Sequence, residues 1–333
     1  MSDMEYKKYK LKELLTIKNG KDHKKLAEGD YPVYGSGGYM RSVNSFLYDR
    51  TSVLLPRKGT LSNIQYVSGN PFWTVDTIYY TILNENLYDP YYLFLYLNAL
   101  DLSGYDSGAS IPSMTSKTYY SLNVELPQKK IQTKVANIIR AYDNLIENNN
   151  KRIKLLEQMV ENLYKEWFVR FRFPGYEAVG FENGIPLGWK IKRIKNFGQV
   201  ITGKTPSTEI SSNYGDKYLF IKTPDMHDNM YVIDSSKKLS ERGNDVQKLK
   251  KLPRWSIMVS CIGTGGVVSI NSKEAHTNQQ INSIVLHDEN NIEWLFFVCK
   301  SLKTTIEMFG ATGSTMTNLS KGKFENLKIL EPN

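Results

Sequence analysis

The chain has 333 residues, 41% of them hydrophobic and 12% aromatic, which is too long for one comfortable core and too apolar for a disordered chain. Its 43 basic and 34 acidic groups leave a formal net charge of +9, suited to a polyanionic partner. The longest apolar run, "YYLFLYLNAL" (91–100), is about half of a membrane span, and "MSDMEYKKYKLKELL" at the start lacks the pattern of a secretory leader, so a cytoplasmic protein of at least two domains is expected.

In chain order, "YKLKELLTIKNGKD" (9–22) reads as a basic strand-like stretch ending in a Gly-Lys turn. "TSVLLPRKGT" (51–60) is an apolar strand ending in Gly-Thr. The loop after it offers Arg57, Lys58, Thr60 and Asn63. Arg57 or Lys58 suits a guanine edge or a phosphate, although the same loop also reads as a solvated basic turn. "DPYYLFLYL" (89–97) is an amphipathic helix with Asp89 at its cap and Pro90 in its first turn. "GASIPSMTSK" (108–117) then carries Ser110, Ser113, Thr115 and Lys117 ahead of the strand "YYSLNVELP" (119–127). Such hydroxyls suit phosphate or base contact, or they cap the element that follows.

From Pro127 to Phe173 the character changes, with no glycine and no internal proline. Ile131, Val135, Ile138, Tyr142, Leu145, Asn149, Leu156, Val160 and Leu163 recur at spacings of three, four or seven. This is a coiled-coil seam, with Asn149 as a polar seam position and Ile153 and Met159 as neighbours. About 40 residues at 1.5 Å each predict a helix of roughly 60 Å, which Pro174-Gly175 should stop. So one-sided a helix requires a partner on its stripe. Residues 127–172 hold 10 basic and 5 acidic groups, against 13 and 13 in residues 1–126. About half the positive excess therefore lies on this segment.

The first half is then repeated. "WKIKRIKNFGQVITGKTP" (189–206), with Lys204, answers residues 9–22, and "WSIMVSCIGT" (255–264), with Thr264, answers residues 51–60. "NIEWLFFVC" (291–299) answers the helix and predicts an asparagine cap. "GATGSTMTNLSK" (310–321), with Thr312, Ser314, Thr315, Thr317 and Lys321, answers the hydroxyl-rich phrase, and "FENLKILEP" (324–332) the strand after it. "HTNQQIN" (276–282) adds Asn278, Gln279 and Gln280, whose amides match adenine; an ordinary polar turn reads the same way. The fold expected is α+β: two similar strand-rich domains joined by a long coiled-coil helix. Where the repeat calls for a second helix, only Asn333 follows Pro332.

This layout resembles the specificity (S) subunit of type I restriction–modification systems. The likeness rests on "GWKIKRI…GQVITGKTPST" (188–208), on the helical region 126–171 with its Trp167-Phe168 exit, and on the recurring Gly-Ser/Thr phrase. The resemblance implies target recognition domains at 1–126 and 174–333 and a conserved helix at 127–173; the sequence departs from the family pattern in lacking the second conserved helix. It implies a non-catalytic reader of a split double-stranded DNA target that docks methyltransferase (M) and restriction (R) subunits. The chain itself would bind no cofactor, with S-adenosylmethionine, ATP and Mg on those partners, and no membrane. The unpaired helix leads to an expected homodimer, or to cover by a partner's helices. A stand-alone DNA amino-methyltransferase is the rival class. "DPYY" (89–92) lacks the second proline of that motif, and "CIGTGG" (261–266) lacks the Lys-Ser/Thr of a phosphate loop. Cys261 and Cys299 read as buried thiols, and the four histidines show no metal spacing.

Overall fold

The computed structural model describes residues 6–102, 112–310 and 317–333. The chain divides into two units, Met1–Ile153 and Lys154–Asn333. In the first, a four-stranded antiparallel sheet runs Leu15–Asn19, Ile78–Leu83, Ser52–Pro56, Gln65–Val67. Ser52–Pro56 is buried throughout, as a continuous apolar run at a sheet centre should be. Its two polar neighbours satisfy each other: Ser52 Oγ donates to Thr81 O, and Thr81 Oγ1 to Val53 O, both at 2.8 Å. A smaller sheet joins Gly38–Val43, Tyr31–Gly35 and Trp73–Thr74, the last two in parallel. The helix Pro90–Asn98 covers the core with Leu93 and Leu97, and Asp89 caps it by accepting from Tyr91 N and Tyr92 N. Burying a leucine of this kind stabilises by roughly 1.5–3 kcal/mol.

The second unit repeats the plan with additions. Its five-stranded sheet runs Gly198–Thr202, Ile281–Leu286, Ile257–Ser260, Val268–Asn271, Tyr231–Val232, and the last strand is an extra parallel edge. The parallel pairing Tyr34↔Thr74 returns as Ile221↔Thr277. Tyr6–Lys10 pairs with Asn123–Pro127, as Lys190–Arg193 pairs with Lys328–Glu331. Even single bonds recur: Leu11 N donates to Leu122 O at 2.9 Å, and Ile194 N to Leu327 O at 3.1 Å. The helix Ile292–Ser301 follows Asn291, but that side chain makes no capping bond. A single 3₁₀ turn, Glu289–Asn291, precedes the helix, and Asp288 caps that turn through Asn290 N. The cap has moved three residues upstream of the expected asparagine. Cys261 and Cys299 are buried free thiols, and burial pushes Cys261 up to about 11.

The long helix runs Lys129–Tyr164 and continues as a wider π turn, Lys165–Val169. It ends ahead of Pro174 because Phe171 takes φ 56°, which a right-handed helix cannot continue. The Phe171 ring meets Trp189 edge-on at 5.2 Å. Two faces of the helix do different things. Gln132, Ala136, Arg140 and Asp143 dock on the first unit: Gln132 Oε1 accepts from Asp89 N at 3.1 Å, Arg140 lies 3.7 Å from Asp89, and Tyr91 OH donates to Asp143. Desolvation and that bond push the Tyr91 hydroxyl up to about 12. At the other end Tyr164 stacks on Phe297 at 5.4 Å, and Glu161 pairs with Lys300 at 2.6 Å. The seam lies one residue round from the docking face. Ile138, Tyr142, Leu145, Leu156, Val160 and Leu163 stay exposed, Ile138 at 61%, and Asn149 is exposed among them. Ile131 is half-buried and Val135 is exposed. Among the described residues no helix is long and apolar enough to cross a membrane.

Candidate nucleic-acid interface

In each unit the loops gather around one hydrogen-bond frame. Gly20 passes the strand end Trp73–Thr74 so closely that a Cβ would stand 2.0 Å from Val75 O; at Gly203 it would stand 2.2 Å from Asn278 O. Only glycine fits. The following lysines then bond alike: Lys21 N donates to Thr74 O at 2.8 Å, and Lys204 N to Thr277 O at 3.0 Å. The next loop repeats the match. Arg57 N donates to Thr77 O and Cys261 N to Gln280 O, both at 2.8 Å. Met114 N donates to Arg57 O at 3.0 Å and Leu319 N to Cys261 O at 2.8 Å. Arg57 thus stands where Cys261 stands, and Thr77 where Gln280 stands. The hydroxyl-rich phrases are tied to the same frame, through the bridge Lys58↔Ser113 in one unit and Gly263↔Thr317 in the other.

What the frames display differs. In the first unit the Arg57 guanidinium lies over the Tyr79 ring, 5.8 Å from its centre, and reaches Asp76 O at 3.5 Å. Lys58 and Thr60 are exposed. Asn63 is half-buried, and its amide donates to Ser36 O at 2.8 Å. A cleft of about 750 Å³ opens between the segments 22–24, 35–40 and 75–77, lined by Asp22, His23, Lys24, Ser36, Tyr39 and Asp76. In the second unit Lys204, Gln279 and Thr264 are exposed. Thr205 Oγ1 donates to Gln279 Oε1 at 2.6 Å. Asn278 is buried, its amide donating to Gln280 Oε1 at 3.0 Å while its Oδ1 accepts from Gln280 N. It shapes the turn and faces no solvent, whereas Gln280 is half-buried.

Thr115 accepts from Thr118 N at 3.2 Å and caps the helix Ser116–Ser121, with Lys117 exposed in its first turn. Ser320 does the same for Lys321–Glu325 by accepting from Lys323 N at 3.4 Å, and Lys321 is exposed there. Capping is therefore one role of the phrase. Ser110, Thr312, Ser314 and Thr315 lie outside the described residues. Beneath the Gln279 turn, His276 is fully buried with Nε2 3.0 Å from Asn244 Oδ1. Desolvation first, and then the Lys251 charge, push it down to about 4. Among the described residues no group of His, Cys, Asp and Glu could hold a metal ion. Sequence reasoning missed Thr205, Asp22, Asp76 and Tyr39. For Thr205 a signal existed, as it directly follows the Gly-Lys turn.

Residues 3–158 and 186–333 each match the family described as type I restriction modification DNA specificity domain. The chain is 31% identical to the type I restriction enzyme HindI specificity subunit of Haemophilus influenzae, covering 75% of this chain and 69% of that protein. It is 25% identical to the MjaIX specificity subunit of Methanocaldococcus jannaschii, covering 93% and 75%. The crystal structure of the S subunit of the type I restriction-modification system from M. genitalium superposes with a TM-score of 0.65 at 13% identity, covering 99% of this chain and 85% of that one, which shows a shared fold.

Proposed function

The chain belongs to the type I restriction–modification DNA specificity family, and from that premise we propose that it is the subunit that reads a two-part DNA target. Recognition domains within 1–126 and 174–333 each bind one part, and the chain supplies recognition without chemistry. Methyltransferase and restriction subunits, which hold S-adenosylmethionine, ATP and Mg²⁺, dock on it in the cytoplasm. The observation that carries this reading is the pair of matching backbone frames that carry unlike side chains, the solvent-reaching Arg57 against the buried Cys261 and Thr77 against Gln280. A duplicated catalytic site would keep its side chains and a duplicated reader of unequal sequences would vary them. Lysines and arginines around each frame supply phosphate contacts, which position the domain.

The exposed seam of the long helix supports the same assembly. It is the surface on which the helix of a second copy of this chain, or a helix of a partner subunit, lies. For DNA binding, the test is fluorescence anisotropy of a labelled duplex with the full chain. Affinity should fall by orders of magnitude between about 50 and 200 mM salt as counterions are released. An affinity indifferent to salt would sink the proposal.

A further inference from the structure

The two frames allow the loops to be compared position by position, and the chemistry they present is not interchangeable. Arg57 carries a planar fork of donors that lies over the Tyr79 ring and reaches the Asp76 carbonyl. Its frame partner, Cys261, is 1% exposed and presents nothing to solvent. One residue before the Thr77/Gln280 position stand Asp76 and Gln279, both exposed. Asp76 only accepts hydrogen bonds, whereas Gln279 offers a donor beside an acceptor. Gln279 is also held: Thr205 Oγ1 donates to its Oε1, which steadies the amide and leaves its N–H groups and a second lone pair on Oε1 for a ligand. The matching residue of the first unit is Asp22, which has no hydroxyl to give.

A fork of parallel donors fits the two acceptors of guanine in the major groove, and a donor beside an acceptor fits adenine. Building on the DNA-reading function above, we propose that Arg57 reads a guanine in the part of the target bound by the first unit. Gln279, with Thr205 as its positioning residue, reads an adenine in the part bound by the second. The two parts of the target consequently differ in composition, and each is read from one side of a shared backbone design.

The experiment is selection of bound duplexes from a randomised pool by the full-length chain, followed by sequencing. The wild type should enrich a two-part sequence with a fixed guanine in one part and a fixed adenine in the other. Arg57→Gln should lower the guanine preference by about 5- to 150-fold and leave the adenine part untouched. Arg57→Lys, which keeps the charge and loses the fork, should relax the same guanine. Gln279→Ala should relax only the adenine; Thr205→Val should relax that adenine partly, and Thr205→Ser should restore it. A two-part sequence that survives Arg57→Gln and Gln279→Ala unchanged, or relaxes in both parts at once, overturns the assignment while leaving the DNA-reading function standing. A wild type that enriches no sequence overturns both. Urea midpoints equal to wild type confirm that each variant is folded.

Discussion

Gly20 and Gly203 hold their loops against a strand end at a distance no side chain tolerates. Gly203→Ala should therefore destabilise the second unit by about 1–3 kcal/mol, read as a lowered urea midpoint. His276 makes a second test at this scale. Its folded value, about 4, lies below the ordinary 6.5, so between these values the unfolded chain binds a proton that the folded chain refuses. The stability it contributes is complete above about pH 6.5 and is lost as pH falls towards 4. The difference in urea midpoint between wild type and His276→Gln should shrink over that window; a constant difference would refute the account. Arg57, Lys204 and Gln279 were legible as candidates because their residue types carry recognition chemistry. Asn63, Asn278 and Thr115 carry it too, and each has at least one polar atom bonded within the fold. Residue type cannot separate the two uses, because the partner is set by tertiary contact: Thr205 and Gln279 are 74 residues apart.

At the scale of elements, the seam of the long helix was visible as a period in the apolar residues, but the docking face beside it was not. Gln132, Arg140 and Asp143 are polar, and a hydrophobic pattern passes over them. Their anchor, Asp89, was legible only as a cap. It also pairs with Arg140, and its backbone N–H donates to Gln132. Asp89→Ala should thus cost about 1–2 kcal/mol, more than the asparagine replacement, measured by urea unfolding. The repeat of strands and helices was plain in the sequence because short apolar runs recur in one order. The extra edge strand Tyr231–Val232 was not, since two residues carry no period. The shift of the cap from Asn291 to Asp288 has the same origin: both residue types cap, and the inserted turn decides which.

For the whole molecule, the exposed stripe sets an expectation about mass. Light scattering on the purified chain should give about twice 38.2 kDa, and Ile138→Lys with Leu145→Lys should return it to the single-chain value without loss of helix signal. A single-chain mass for the wild type at all concentrations would leave the stripe to a partner subunit instead. The net charge of +9 acts at this scale as well, drawing the assembly to DNA before any base is read.

The loops of both units are secured by amide-to-carbonyl bonds, such as Arg57 N to Thr77 O and Cys261 N to Gln280 O. None of these bonds depends on which side chain occupies the spot. Vocabulary can therefore be rewritten at exposed places on the frames, such as Lys58, Asp76 and Gln279, without touching grammar, whereas Cys261 is sunk in the core and is not free to change. A lineage carrying this chain can drift from one recognised motif to another through those exposed places while the loops stay secured.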